Sequence, residues 1–261
     1  VPIGMIMDVI KHCGGTVDEI ELDYVGLNHL SWVRSFKKAG KDITAEVLDA
    51  FFEHAEEEWE EPTTRANMLA AMHSLGMFCN YYLQYYYSTQ SVLETLLAKE
   101  KTRGEEVVDI EAALFAKYQD AERTEKPEEL SERGGAHYST AAFRLIEAIE
   151  QDRRNTQIVC CRNAGAVPTF DDDVSVEVPA RIGREGAQAL QQAAPEPAIR
   201  GLMQLIKAYE SLTVAAAVSG DREWAFQALL SHPLTPDAGG CRALLDDLLD
   251  VNHEYLQGTF F

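Results

Sequence analysis

The sequence predicts an α+β fold, mostly helical with a small, largely antiparallel sheet. Three observations carry that expectation. Apolar residues recur at three- and four-residue spacing through most of the 261 residues. β-Branched and aromatic residues collect in two zones, residues 19–38 and 156–181. From Pro197 onward the pattern is helical throughout.

Each element has its own reason. Residues 2–12 put Ile3, Met5, Ile6, Val9 and Ile10 at helical spacing, with Pro2 in the first turn and Gly14-Gly15 as the stop. "IELDYVGLNHLSWVRSF" reads as two strands hinged near Leu27-Asn28, and "KAGKD" as a turn. Residues 44–59 return to helix with Thr44 as cap, and 63–78 form another. "NYYLQYYY" is an aromatic cluster, followed by helical segments to about Gln119. After Gly134-Gly135 a helix carries Ala142, Leu145, Ile146 and Ile149 on one face. "TQIVCCRN" and "VSVEVPAR" are strands joined through "AGAVPTFDDD". Helices at 197–219, 222–231 and 238–256 complete the chain.

Composition narrows the function. With 46% apolar residues the chain buries a sizeable core, and neither an internal repeat nor a low-complexity linker divides it. The net charge of −20 argues against a nucleic-acid partner or an anionic membrane surface, while leaving room for a locally basic pocket. No apolar run reaches the ~18–20 residues of a membrane span, and no cleavable signal pattern is present. Five scattered cysteines fit a reducing cytoplasm better than a disulfide framework. No glycine-rich phosphate loop occurs anywhere.

Four places hold candidate chemistry. His29 follows Asn28 in an otherwise apolar run. A histidine there is more often a packed core residue than a ligand, yet Asn28 adds a second polar group and Gly26 suggests a bend aiming both at one cavity. Tyr138 follows "RGGAH" at a helix start, where backbone N–H groups and the helix dipole favour negative charge; it is either a general base or an ordinary packed tyrosine. Arg162-Asn163 close a strand and would present a guanidinium fork to phosphate, or simply cap a surface. The aromatic cluster at 81–87 reads as packing or an interface more readily than as a sugar platform. His137 receives no role.

Taken together, "VPIG", "GLNHLSW", "YLQYYY", "ERGGAHYSTAA" and "CRNAGAV…VEVP" resemble glycoside hydrolase family 4, and the likeness continues into "KAYESLTVAAAVSGDREWAFQALLSHPL". The family resembles lactate and malate dehydrogenases in fold. By that resemblance residues 1–261 are a C-terminal substrate-binding, metal-binding and oligomerisation domain, and the N-terminal NAD-binding Rossmann domain is absent from this chain. The resemblance implies His29 as a Mn²⁺ ligand, Asn28 against the sugar, and a second ligand, a Cys, upstream of residue 1. It implies Tyr138 as the catalytic base and assigns Arg162 and Asn163 to substrate or phosphate. Val1-Pro2 resembles the 6-phospho-β-glucosidase branch. The implied reaction is NAD- and Mn²⁺-dependent oxidation, elimination, addition and reduction on a phosphorylated disaccharide or aryl glucoside, in a cytoplasmic homo-oligomer, dimer or tetramer. The alternatives are a 6-phospho-α-glucosidase, an α-galactosidase type, or a non-catalytic oligomerisation or sugar-binding module.

Overall fold

A short hairpin organises the sheet in the computed structural model, which describes residues 1–132, 134, 137–256 and 260. Strands β1 (Ile20–Leu27) and β2 (Leu30–Lys38) pair antiparallel from Ile20↔Lys38 to Leu27↔Leu30. Only Asn28 and His29 remain to make the turn. β2 also pairs with the two-residue strands β3 (Lys41–Asp42) and β4 (Phe78–Cys79). β1 meets β6 (Ser175–Gly183), which pairs with β5 (Asn155–Arg162) and with β7 (Gly186–Ala189). Every pairing is antiparallel, and the order is β3-β2-β1-β6-β5. The expected α+β class holds. β7 is an addition: "GAQA" has no β-branched residue, and it is a strand because a tight turn folds it back onto β6.

Alternation along the strands sends side chains to two faces. Val25, Leu27, Leu30, Trp32, Val176 and Val178 point to one and pack with Met68, Met72, Ile199 and Met203. Ile20, Leu22, Tyr24, Val33 and Phe36 point to the other, under Met5, Val9 and Val47. Each such side chain, fully buried, contributes ~1.5–3 kcal/mol.

The first face is covered by α4 (Pro62–Leu75) and α10 (Pro197–Ser219), the second by α1 (Pro2–Cys13) and α2 (Thr44–Glu53). The helix expected at 44–59 breaks at His54 into α2 and the short α3 (Ala55–Glu58). Thr44 is not the cap. Its hydroxyl accepts from Phe36 N at 2.9 Å, tying α2 to β2, while Asp42 Oδ1 accepts from Thr44 N. The aromatic cluster is a 3-10 turn, Tyr81–Leu83, running into α5 (Gln84–Tyr87). Helices α6 (Thr89–Leu97), α7 (Arg103–Tyr118) and α8 (Glu129–Glu132) lead to α9 (Tyr138–Glu150), whose Ala148 packs on Ala180 and Ile182. α11 (Arg222–Ser231), α12 (Ala238–Val251) and α13 (His253–Leu256) form the helical tail, with α10 and α11 ending and starting around Gly220-Asp221 as expected. Among the described residues no helix is long and apolar enough to cross a membrane.

Candidate active site

Asn28 and His29 are exposed at the hairpin tip, not in a buried strand. His29 takes φ 64°, a left-handed conformation that costs a non-glycine residue about 1–2 kcal/mol. Its imidazole stacks on Tyr82, centroids 4.4 Å apart and planes 24° from parallel. Partial desolvation of the ring holds its pKa below the ordinary histidine value. The ring is therefore neutral at physiological pH, the form that binds a metal.

Asn80 fixes the stacking partner. Its Oδ1 accepts from Tyr82 N at 3.0 Å, its backbone N donates to Ser31 O at 3.2 Å, and its Nδ2 donates to Ser31 Oγ at 3.0 Å. The turn bearing Tyr82 is thereby clamped to the strand that leaves His29.

One register behind the tip, Ser31, Gly26, Glu177 and Cys160 stand in a row across four strands. Gly26 is a close approach, not the bend expected of it: a Cβ there would lie 2.4 Å from Ser31 Cβ. The Tyr24 hydroxyl donates a very short hydrogen bond to Glu177 and stands 2.6 Å from Ser31 Oγ. Glu177 is 5% exposed. Burial raises its pKa against the opposing pull of its hydrogen bonds from Tyr24 and Cys160. Cys160 Sγ donates weakly to Glu177 Oε1 at 3.8 Å, and burial with Glu177 pushes that thiol up to about 11. The Val1 nitrogen lies near both His29 and Glu177, so the start of α1 lies at this end of the sheet.

Register carries Arg162 to the same end. Gly26 pairs with Glu177 in an antiparallel ladder, so Asn28 comes level with Ser175, the partner of Arg162. Exposed Arg162 gives its Nε to Asp172 O at 3.0 Å. Asn163 is different. It is fully buried, its Nδ2 donates to the carbonyls of Val167, Phe170 and Asp171, and its Oδ1 accepts from Val167 N at 2.7 Å. Both Nδ2 protons are used within the loop and the side chain is shielded from solvent, so Asn163 shapes the loop between β5 and β6.

Tyr138 is the first residue of α9 and 69% exposed. Gln157 Nε2 donates to Arg144 O and Arg153 N to Ala148 O, so α9 runs antiparallel to β5 and carries Tyr138 toward the Arg162 end. His137, just before it, acts electrostatically on Asp8 of α1. No hydrogen bond or ring contact joins Tyr138 to His29 among the described residues. The expected role of Gly134-Gly135 in bringing N–H groups to a ligand lies outside them, since Gly135 is not described.

Sequence reading did not single out Glu177, Tyr24, Ser31 or Asn80. The available signal was "VSVEVP", an acid in the middle of a strand whose neighbours are all apolar.

Comparison with known proteins gives this geometry a family. Residues 24–235 match the family 4 glycosyl hydrolase C-terminal domain. The chain is 33% identical over 257 residues to a 6-phospho-beta-glucosidase of Thermotoga maritima, covering 98% of this chain and 60% of that protein. It is 28% identical over 269 residues to a 6-phospho-beta-glucosidase of Escherichia coli, covering 98% and 58%. A structure of the Thermotoga maritima enzyme with manganese, NAD+ and glucose-6-phosphate superposes with a TM-score of 0.85 at 32% identity, over 98% of this chain and 59% of that one. The chain thus spans about three-fifths of the length of these relatives. It belongs to glycosyl hydrolase family 4, as the family's C-terminal domain.

Proposed function

We propose that this chain is the substrate-binding and metal-binding part of a 6-phospho-β-glucosidase whose dinucleotide domain lies in a longer parent protein. The observation that carries the reading is the hairpin tip: a neutral imidazole beside a carboxamide, in a chain belonging to family 4. The β-linked specificity is supported by the two relatives reported above, each a 6-phospho-beta-glucosidase.

The donor set fits a metal in part. His29 offers one neutral imidazole, and no three His, Cys, Asp or Glu side chains converge to hold an ion among the described residues. The family resemblance places the second ligand, a Cys, before residue 1. When bound, NAD takes up and returns a hydride, and Mn²⁺ polarises the sugar oxygens as a Lewis acid. The chain's own residues do the rest. His29 is the metal ligand, and Asn28 hydrogen-bonds a sugar hydroxyl. Tyr138, as tyrosinate, accepts the proton from sugar carbon 2 and becomes the phenol. Arg162, anchored through Nε, presents its remaining N–H groups to the phosphate. Exposed Phe115, Phe143 and Ile146 support a homo-oligomer. Five free thiols support a cytoplasmic location.

The test is release of nitrophenol from p-nitrophenyl 6-phospho-β-glucoside by the full-length parent with NAD⁺ and Mn²⁺. Activity lost to EDTA and restored by Mn²⁺ is expected. A parent that ignores phosphorylated glucosides but cleaves unphosphorylated ones would overturn the reading.

A further inference from the structure

A cavity of about 290 Å³ lies beside the Tyr81–Tyr87 segment, close to the ~300 Å³ at which ligand clefts begin. Its lining includes Glu58, Trp59, Glu60, Tyr81, Gln84 and Tyr85. A ladder of rings joins it to the hairpin tip: His29 stacks on Tyr82, and Tyr82 is nearly parallel to Tyr85, 19° between planes and 6.5 Å between centroids. The cavity therefore begins two stacking distances from the candidate metal ligand.

Its chemistry points to a ligand. Trp59 is 2% exposed and forms part of its wall. Burial raises Glu58 to about 7, so near neutral pH its carboxyl both donates and accepts. Partly exposed Tyr81 offers an aromatic ring. Two lining acids are already committed: Glu61 caps α4 and accepts from Ser91 Oγ at 2.5 Å, and Glu57 pairs with Lys11. Glu58 and Glu60 stand against Lys99 alone among the lining charges that remain, so the field disfavours an anionic occupant.

We propose that this cavity is a carbohydrate subsite for the unphosphorylated, leaving-group ring of the substrate. The inference rests on the glycosidase reading above and deepens it. Aromatic rings take the apolar face of the sugar, and Glu58 and Gln84 bond its hydroxyls. The phosphorylated ring is kept at the hairpin-tip end of the ladder, the end to which register carries Arg162.

The experiment compares kcat/KM of the full-length parent on a 6-phosphorylated β-glucosyl-glucose and on methyl 6-phospho-β-glucoside. The ratio of the two should fall about tenfold in Tyr85→Ala and severalfold in Glu58→Gln, as expected for losing one stacking contact or one hydrogen bond. Thermal melts of both variants establish that they are folded, and the isosteric Glu58→Gln decides the matter if Tyr85→Ala is not. A wild-type ratio in folded variants overturns the subsite and leaves the glycosidase reading standing. A wild-type parent that turns over neither substrate overturns the glycosidase reading, and the subsite with it.

Discussion

His29 combines a strained backbone with an exposed side chain, and the two together set what its replacement does. In the parent, His29→Ala should abolish tight Mn²⁺ binding while lowering stability by no more than the ~0.5–1.5 kcal/mol of a ring contact. Metal titration and thermal melts check both halves. Unchanged Mn²⁺ affinity would remove His29 from the site. Because its pKa lies below 6.5, the ring stays neutral somewhat below that pH, and Mn²⁺ binding should persist there. Tyr138→Phe should lower kcat by ~10²–10⁴-fold, with little change in melting temperature because the side chain is exposed. A variant with wild-type turnover would exclude it as the base. Asn163→Ala is the opposite case. It strips a buried amide from four backbone partners and should cost about 2–3 kcal/mol in urea denaturation. If it raises KM without loss of stability, the substrate role expected from sequence is restored.

At the scale of elements, the row across the sheet makes folding depend on pH. The folded pKa of Glu177 is raised above its unfolded value of 4.5, so protonation favours the fold. Its contribution is complete below 4.5 and is lost as pH rises through the folded value. Glu177→Gln cannot ionise, so its stability relative to the wild type should improve between pH 4 and pH 8; a difference independent of pH would refute this. The same row shows what a one-dimensional pattern reveals and what it hides. β1, β2, β5, β6 and the long helices were legible because burial imposes a period on their residues. β7 was not, because pairing alone makes it a strand. The break at His54 was not, because the helical period runs through it. Of the site, His29 and Asn28 stood out as polar residues in an apolar run, although the reason is a turn and not a buried strand. Glu177 stayed hidden because only the register places it beside Tyr24 and Cys160, 153 and 17 residues away.

At the scale of the whole molecule, the chain spans about three-fifths of the length of its relatives. The chain has no glycine-rich dinucleotide loop, so by itself, with NAD⁺, Mn²⁺ and a reductant, it should release no nitrophenol from a 6-phospho-β-glucoside. Measurable NAD-dependent release would show that its own residues suffice. The resemblance is legible at this scale because its motifs run the length of the chain in order. The placement of His29 and Tyr138 is not legible, since the two sit on separate elements and only the fold sets their positions.

The Asn80 clamp has a consequence for slow motions. Its backbone amide is bonded to Ser31 and its side chain holds the amide of Tyr82, so both protons are released to solvent only when the turn lifts away from β2. That opening also breaks the stack on which His29 rests. A ligand that prefers the stacked imidazole must therefore hold the turn closed. Deuterium uptake at Asn80 and Tyr82 should slow when Mn²⁺ is added to the parent protein, although the metal touches neither amide.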